Sequence, residues 1–340
     1  MKFRYILAAA ALLTFVACDE QEVFEKEQYK NIFGFVCESD NTKEKIVSLH
    51  LDEATTYVSI SMGGSNPPAQ DVTINFEEDP SLIDDYNSSN FDTDVAKYAV
   101  ALPQEHYTIE NYTCTIKAGE RLGVVPVKVI PNGLSVDKTY FIPLRVTDYN
   151  NGEMDPEKGT VLFQVGIKNH WAESSGTAYN MIGRRQQVSD VTTGDPITDV
   201  TSEISMPGTK YVYPYSSNEV RIFPGNETYS TDHHKMEQMG MIIEISGDED
   251  GDKVREVTLK PVRDLIVKMV DANDPRYDDM YNNTYSLIDD GFNVYKTFFL
   301  QYYYSVDGGK NFYQMKEEVR VEYKEDKDVD EGFEVIEYEE

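Results

Sequence analysis

Cysteine, tryptophan and basic side chains are scarce in this 340-residue chain, and each shortage excludes something. Three cysteines, Cys18, Cys37 and Cys114, are too few for a disulfide scaffold, and no Cys-x-x-Cys spacing offers a zinc site. With Cys18 set aside, one bridge between Cys37 and Cys114 is permitted but not implied. Cys114 alternates with Tyr112 and Ile116 and is expected in a core as a small apolar residue. The facing of Cys37 is ambiguous. Lys and Arg number 31 against 61 Asp and Glu, a net charge of −30 with no basic cluster. That balance excludes nucleic acid, whose phosphates need Lys and Arg, and argues against attraction to anionic lipid surfaces. It favours solubility and says nothing about fold. Long hydrophobic runs are missing too. Tyr5 to Val16, broken only by Thr14, is too short to span a bilayer as a stable helix. Tryptophan occurs once, at Trp171, against 24 tyrosines. Tyrosine suits half-buried strands and also sugar-binding faces, so the count alone does not choose.

What is present begins at the N-terminus. Met1-Lys2-Phe3-Arg4 is basic, the apolar run follows, and the small residue Ala17 precedes Cys18, as in a cleaved secretory signal over residues 1–17. Phe15-Val16-Ala17-Cys18 resembles the lipobox of bacterial lipoproteins, which implies that Cys18 is lipidated and becomes the new N-terminus. An ordinary secreted protein with a cysteine near its cleavage site is the plainer alternative. Acyl chains on Cys18 would tether the body to a membrane, each buried CH₂ contributing about 0.8 kcal/mol. Residues 18–29 read as an acidic linker. Its start, Asp19-Glu20-Gln21-Glu22, resembles the signal that exports Bacteroidetes lipoproteins to the outer face of the outer membrane; a merely solvated stretch would look the same.

Residues 30–168 alternate apolar and polar positions in short runs: Val58 to Met62, Val72 to Phe76, Val125 to Val129 around Pro126, and Val161 to Ile167. A period of two puts one face inward and one outward, the pattern of an antiparallel sandwich. Gly63-Gly64-Ser65-Asn66-Pro67-Pro68 and Lys117-Ala118-Gly119-Glu120 supply turns. Asp79-Pro80-Ser81-Leu82 reads as a helix start with Asp as cap and Pro at the first helical position, ended by Asn87-Ser88-Ser89-Asn90. About seven short strands over this length fit an immunoglobulin-like sandwich.

The segments follow a recognisable order. Asp79-Pro80-Ser81-Leu82-Ile83-Asp84-Asp85-Tyr86-Asn87 precedes Leu102-Pro103-Gln104-Glu105-His106-Tyr107-Thr108-Ile109. Then come Ile116-Lys117-Ala118-Gly119-Glu120, Val125-Pro126-Val127-Lys128-Val129, Leu134, Asp137-Lys138, Tyr140 and Ile142-Pro143-Leu144-Arg145-Val146. This succession resembles the N-terminal domain of unknown function found on many Bacteroidetes lipoproteins of polysaccharide-utilisation loci. The resemblance implies an immunoglobulin-like sandwich serving as a spacer between membrane and a distal module.

Asn169-His170-Trp171 marks a junction, and residues 169–340 again read as strands. Lys210 to Tyr215, Glu219 to Phe223, Met241 to Ser246, Val254 to Val262, Tyr295 to Ser305 and Lys316 to Tyr323 are the candidates. Asp274-Pro275-Arg276-Tyr277 repeats the Asp-Pro helix start. Hairpin-linked strands in this number suggest an antiparallel barrel or a second sandwich, so the whole chain is expected to be all-β. The order also resembles the C-terminal β domain that often partners the N-terminal one. Phe333, Val335, Ile336 and Tyr338 suggest a last strand within the acidic terminus.

Candidate chemistry is thin. Ser305-Val306-Asp307-Gly308-Gly309-Lys310-Asn311-Phe312 fits an Asp-box, which recurs in sialidases, but a single copy reads as a hairpin device. Asp232-His233-His234 has no identifiable third metal ligand and reads as loop polarity. Asp248-Glu249-Asp250-Gly251-Asp252 departs from a calcium loop and reads as a hairpin tip. No nucleophile elbow or phosphate loop occurs, and carboxylate pairs cannot be chosen among 61 acids without geometry. No catalytic residue, metal or cofactor is therefore assigned.

Aromatics are the better candidates, since sugar rings stack apolar C–H faces on them. Trp171 lies at the junction, where a packing plug is the alternative. In Phe298 to Tyr304 the solvent-facing pair is expected to be Gln301 and Tyr303. Tyr211, Tyr213 and Tyr215 share one face of their strand. The expectation is a non-catalytic surface lipoprotein, anchored through Cys18 to the outer membrane, that captures a glycan ligand for a neighbouring outer-membrane transporter complex. A structural or adhesive protein contacting another protein is the alternative. Both rest on kinship more than on site residues.

Overall fold

The computed structural model describes residues 29–228, 230, 232–247 and 254–324. The leader, Cys18, the acidic stretch from Asp19 to Glu22, the Asp248–Asp252 loop and the expected last strand at Phe333–Tyr338 lie outside the described residues.

Eleven strands build the first half: β1 (Ile32–Phe35), β2 (Thr42–Ser48), β3 (Ala54–Gly63), β4 (Val72–Glu78), β5 (Val100–Ala101), β6 (Tyr107–Thr108), β7 (Thr113–Ile116), β8 (Leu122–Val129), β9 (Tyr140–Tyr149), β10 (Glu153–Met154) and β11 (Thr160–Lys168). They form two sheets, β10-β1-β3-β8-β6 and β2-β11-β9-β4-β7, with β5 beside β9. The alternation read from the sequence is the reason they pack. Val58, Ile60 and Met62 face Val72, Ile74 and Phe76 across one core with Val125, Val127, Val161 and Phe163. Cys114 is fully buried there, and both it and half-buried Cys37 are free thiols.

The helix after Asp79 differs from its expected form. It runs Ser81–Phe91, with Pro80 just before it and the Asp79 carboxylate accepting from the Ser81 amide at 3.1 Å. It continues through Asn87-Ser88-Ser89-Asn90 because those polar groups find partners. Asn87 is buried and bonds both backbone groups of Ala99, at 2.8 and 2.9 Å, while Asn90 donates to the Tyr86 carbonyl.

The second half is a closed barrel, which decides between the two architectures expected. Its strands are β12 (Thr177–Val188), β13 (Ile204–Pro214), β14 (Glu219–Ile222), β15 (Met241–Ile245), β16 (Val254–Pro261), β17 (Ile266–Met269), β18 (Thr284–Asp289), β19 (Val294–Ser305) and β20 (Phe312–Glu322). Eight close in the order β19-β18-β16-β15-β14-β13-β12-β20, and β20 returns to β19; β17 continues the edge of β19 beside β18. Closure removes exposed edges, and at this strand number side chains fill the interior. Tyr179, Met181, Val212, Val220, Ile243, Phe298, Leu300 and Met315 do so here.

Two local expectations fail in this half. Asp274-Pro275-Arg276-Tyr277 forms turns and not a helix start, with only a 3₁₀ turn at Asp279–Tyr281. The helix lies instead at His233–Met239, capped by Asp232, whose carboxylate accepts from the His234 and Lys235 amides at 2.9 and 3.3 Å. The segment reads as loop polarity from sequence because its paired histidines draw the question of a metal site, and with no third ligand the capping role of Asp232 carries no further signal.

The halves join at opposite ends of the sandwich from the chain's entry. Tyr29 exchanges hydrogen bonds with Ser65 just beyond the Gly63 end of β3. The barrel sits past the other end, where Leu49 donates to the Lys168 carbonyl. Ten residues of β3 separate these ends, roughly 33 Å of extended chain. No helix among the described residues is long and apolar enough to cross a membrane.

Candidate functional site

The junction is organised by a polar turn. The Asn169 carboxamide accepts from the Trp171 and Ala172 amides at 3.1 and 3.0 Å and donates to the carbonyls of Ser216 and Glu219 at 2.8 and 2.9 Å. This fixes Trp171, which is buried edge-on against Tyr285 with ring centroids 5.6 Å apart. The indole therefore plugs the junction side of the barrel core and presents no open ring face.

Gln301 and Tyr303 also differ from expectation. They point away from the barrel core, as alternation requires, yet both are buried. The segment 270–283 lies over them: Tyr303 donates to Asp274 Oδ2 at 2.9 Å, and Gln301 exchanges bonds with both backbone groups of Asp278. Val188, Val191, Val270 and Phe312 complete a small second core on this outer wall. A loop returning from far along the chain covers the face, and strand periodicity carries no signal for that.

The Asp-box is a built hairpin. Asp307 Oδ1 accepts from the Ser305 hydroxyl and from the Lys310 and Asn311 amides, and Oδ2 accepts from the Asn311 carboxamide at 2.6 Å. Gly308 and Gly309 take φ of 71° and 88°, a region that L side chains avoid. Phe312 tucks beneath. Partial burial works to raise the Asp307 carboxyl, but these hydrogen bonds outweigh it and hold it at about 2.

Tyr211, Tyr213 and Tyr215 do line one outer face of β13. Tyr211 and Tyr215 are 47% and 44% exposed, and Tyr213 between them is half-buried. Successive rings are set about 6.7 Å apart along the strand. Tyr213 rests on Gly176, where a Cβ would come within 2.6 Å of its ring. Gly176 follows Ser174 and Ser175, which line a cleft of about 230 Å³ between the sandwich and the junction. Glu44, Gln164, Ser135 and Lys138 supply the other polar walls. Across the ladder Tyr213 faces Arg221, whose guanidinium makes a bidentate pair with Asp137, the neighbour of Lys138. The lining residues Ser175 and Lys138 are thus chain neighbours of Gly176, on which Tyr213 rests, and of Asp137, which pairs with Arg221, so the ridge lies beside the cleft.

Within the cleft Gln164 donates to Glu44 Oε1 at 3.3 Å, and the Glu44 carboxyl is raised, first by partial burial and then by Glu173 nearby. Such a site offers hydroxyls, a carboxamide, a carboxylate and an ammonium beside open aromatic faces. That combination binds polyols: C–H faces stack on rings while ring hydroxyls exchange hydrogen bonds. Sequence reading found the ridge from the spacing of its tyrosines. It missed Glu44, Ser135, Lys138 and Gln164, because only the fold gathers two strands, β2 and β11, one loop and the junction at one place.

Comparison with known proteins agrees on architecture. One family model, of an N-terminal domain, matches residues 24–153, and a second, of a C-terminal domain, matches residues 159–320. No curated protein matches the chain. A Bacteroides ovatus structure of unknown function is 14% identical, with a TM-score of 0.61, covering 87% of this chain and 98% of its own. Another from the same organism, also of unknown function, is 16% identical with a TM-score of 0.56, covering 89% and 93%. An auxiliary nutrient binding protein from Bacteroides thetaiotaomicron is 14% identical with a TM-score of 0.58, covering 85% and 94%. At these identities the likeness is one of fold. The chain thus joins, in order, the N-terminal and the C-terminal domain that these two family models describe, on the all-β fold of the Bacteroides structures.

Proposed function

We propose that this protein is a cell-surface lipoprotein that binds a polysaccharide or oligosaccharide without cleaving it, for uptake by an outer-membrane transporter. The observation that carries the reading is the open tyrosine ridge beside the polar junction cleft. Two further features support it. The sandwich separates the chain's entry at Tyr29 from the barrel, as a spacer above a Cys18 lipid anchor would. The fold is also that of an auxiliary nutrient binding protein. The alternative, a structural or adhesive surface protein, would use the same exposed wall for a protein contact.

Affinity electrophoresis of the chain from Val23 onward, in gels cast with plant, fungal and host glycans, separates these readings. Retardation in one gel without release of reducing sugar is expected. Replacing Tyr211 or Tyr215 by Ala should weaken it by roughly tenfold, about 1.4 kcal/mol. Released reducing sugar would overturn the non-catalytic reading, and no retardation in any gel would favour the protein contact.

A further inference from the structure

The tyrosine ridge does not end at Tyr211. The same outward row of β13 continues through Thr209 to Pro207, and the register sets Ala178, Asn180 and Ile182 of β12 beside Tyr211, Thr209 and Pro207. All six side chains are exposed. From Tyr215 to Pro207 the row is roughly 27 Å long, its outward positions about 6.7 Å apart. Charge is missing from this strip. In a chain of 61 acids and 31 bases, its positions carry no ionisable group other than a phenol. The arginines at its margins already have carboxylate partners, Arg184 with Glu203 at 3.5 Å and Arg320, opposite Asn180 on β20, with Glu318 at 3.4 Å. In the cleft beside the ridge Lys138 shares the walls with Glu44, and Glu173 adds a second negative charge near that carboxyl.

We infer that the ligand of this site is an uncharged glycan chain of about five sugar units laid lengthwise along β13, and neither a mono- or disaccharide nor an acidic polysaccharide. The inference rests on the capture reading above and narrows it. Length follows from spacing. Tyr213 sits lower than its neighbours because its ring rests on Gly176, so the open rings are Tyr211 and Tyr215, four residues apart. A single sugar covers one of them, and only a chain bridges both and reaches Thr209. There the Thr209 hydroxyl and the Asn180 carboxamide exchange hydrogen bonds with sugar hydroxyls, while C–H faces lie on the rings. Neutrality follows from the charges. A uronate or a sulfate needs a cation without a carboxylate partner, and the strip holds no cation at all. The net charge of −30 opposes a polyanion over the whole surface as well.

The test titrates the full chain, in detergent, with oligosaccharides cut from whichever glycan retards it, from disaccharide to heptasaccharide. Affinity should climb at least about tenfold between disaccharide and pentasaccharide and then level off. Thr209→Glu, an exposed change beyond the ridge, should remove most of that gain and leave the disaccharide and the melting temperature little altered. Binding should also be indifferent to salt, whereas a glycan held by charge would be released by it. A disaccharide bound as tightly as the pentasaccharide overturns the inference, as does a length dependence that Thr209→Glu leaves intact. Preference for an acidic glycan, lost in salt, overturns it too. Each of these results leaves glycan capture standing. Retardation in no gel is the separate failure, which removes the capture reading and this inference together and assigns the strip to a protein contact.

Discussion

Inside the barrel, Lys210 and Glu317 form an ion pair at 2.5 Å, both buried among apolar side chains. The Tyr302 hydroxyl donates to the other carboxylate oxygen at 2.7 Å and accepts from the Gly225 amide at 2.9 Å. Burial pushes the Lys210 ammonium down from its usual range, against the opposing pull of Glu317. Removing one member of such a pair leaves a charge without compensation, so Glu317→Gln and Lys210→Met should each destabilise by about 3–5 kcal/mol. Because each single change strands its buried partner and the double change strands neither, the double variant should lose well less than the sum of the two single losses. Urea unfolding of the four proteins measures the coupling, and additive losses would show that the two charges do not depend on each other. Neither residue stood out in the sequence. Lys210 continues the inward row of Val212 on β13, and Glu317 that of Met315 and Val319 on β20, so alternation places them inside only once the barrel is known.

At the scale of an element, the β19–β20 hairpin shows what a motif does when it is not a site. Asp307 has a carboxyl held at about 2, against an ordinary value of 3.8. Its contribution is thus fully present above the ordinary value and is lost as pH falls from there towards 2. Asp307→Asn should lower the melting temperature by a few degrees at pH 7, with the difference from wild type shrinking to nothing near pH 2. A difference that persists unchanged in acid would assign the loss to geometry and not to charge. Elements such as β3, β4, β8 and β11 were legible because period-two alternation is a direct consequence of one buried face. The barrel strands β12, β17 and β18 were not, since apolar residues such as Ile182, Ile266 and Ile288 stand on their outward rows and blur the alternation that closure depends on. The tyrosine ridge was legible for the same reason as β3, and the cover over Gln301 and Tyr303 was illegible because segment 270–283 packs through tertiary contacts alone.

At the scale of the whole molecule, the contacts that hold sandwich to barrel are polar and titratable, and so the junction should be the first part to respond to acid. Arg221 reaches across from β14 to Asp137, and its guanidinium is buried there. Asp137→Ala should therefore uncouple the two halves, splitting one calorimetric transition into two; a single transition would assign the coupling to the Asn169 turn instead. Next to it His170 lies against Trp171 and Tyr285, and its carbonyl accepts from Lys296. Burial, then Lys296, Arg255 and His50, press its imidazole down to about 2. Burial and Arg255 lower His50 in the same sense. Between about 2 and the ordinary 6.5, the unfolded chain binds a proton at His170 that the folded chain refuses. Stability must then fall as pH drops below 6.5, by up to about 1.4 kcal/mol per pH unit for one such group. This window opens above the one set by Asp307, so the two are separable by pH. Trp171, the sole tryptophan, sits against the histidine and reports the event through its emission. His170→Gln should flatten the slope of stability between pH 6.5 and 4, leaving the remainder that His50 supplies. An unchanged slope would mean that the junction opens before the histidine is reached, and that acid acts on the sandwich or the barrel alone.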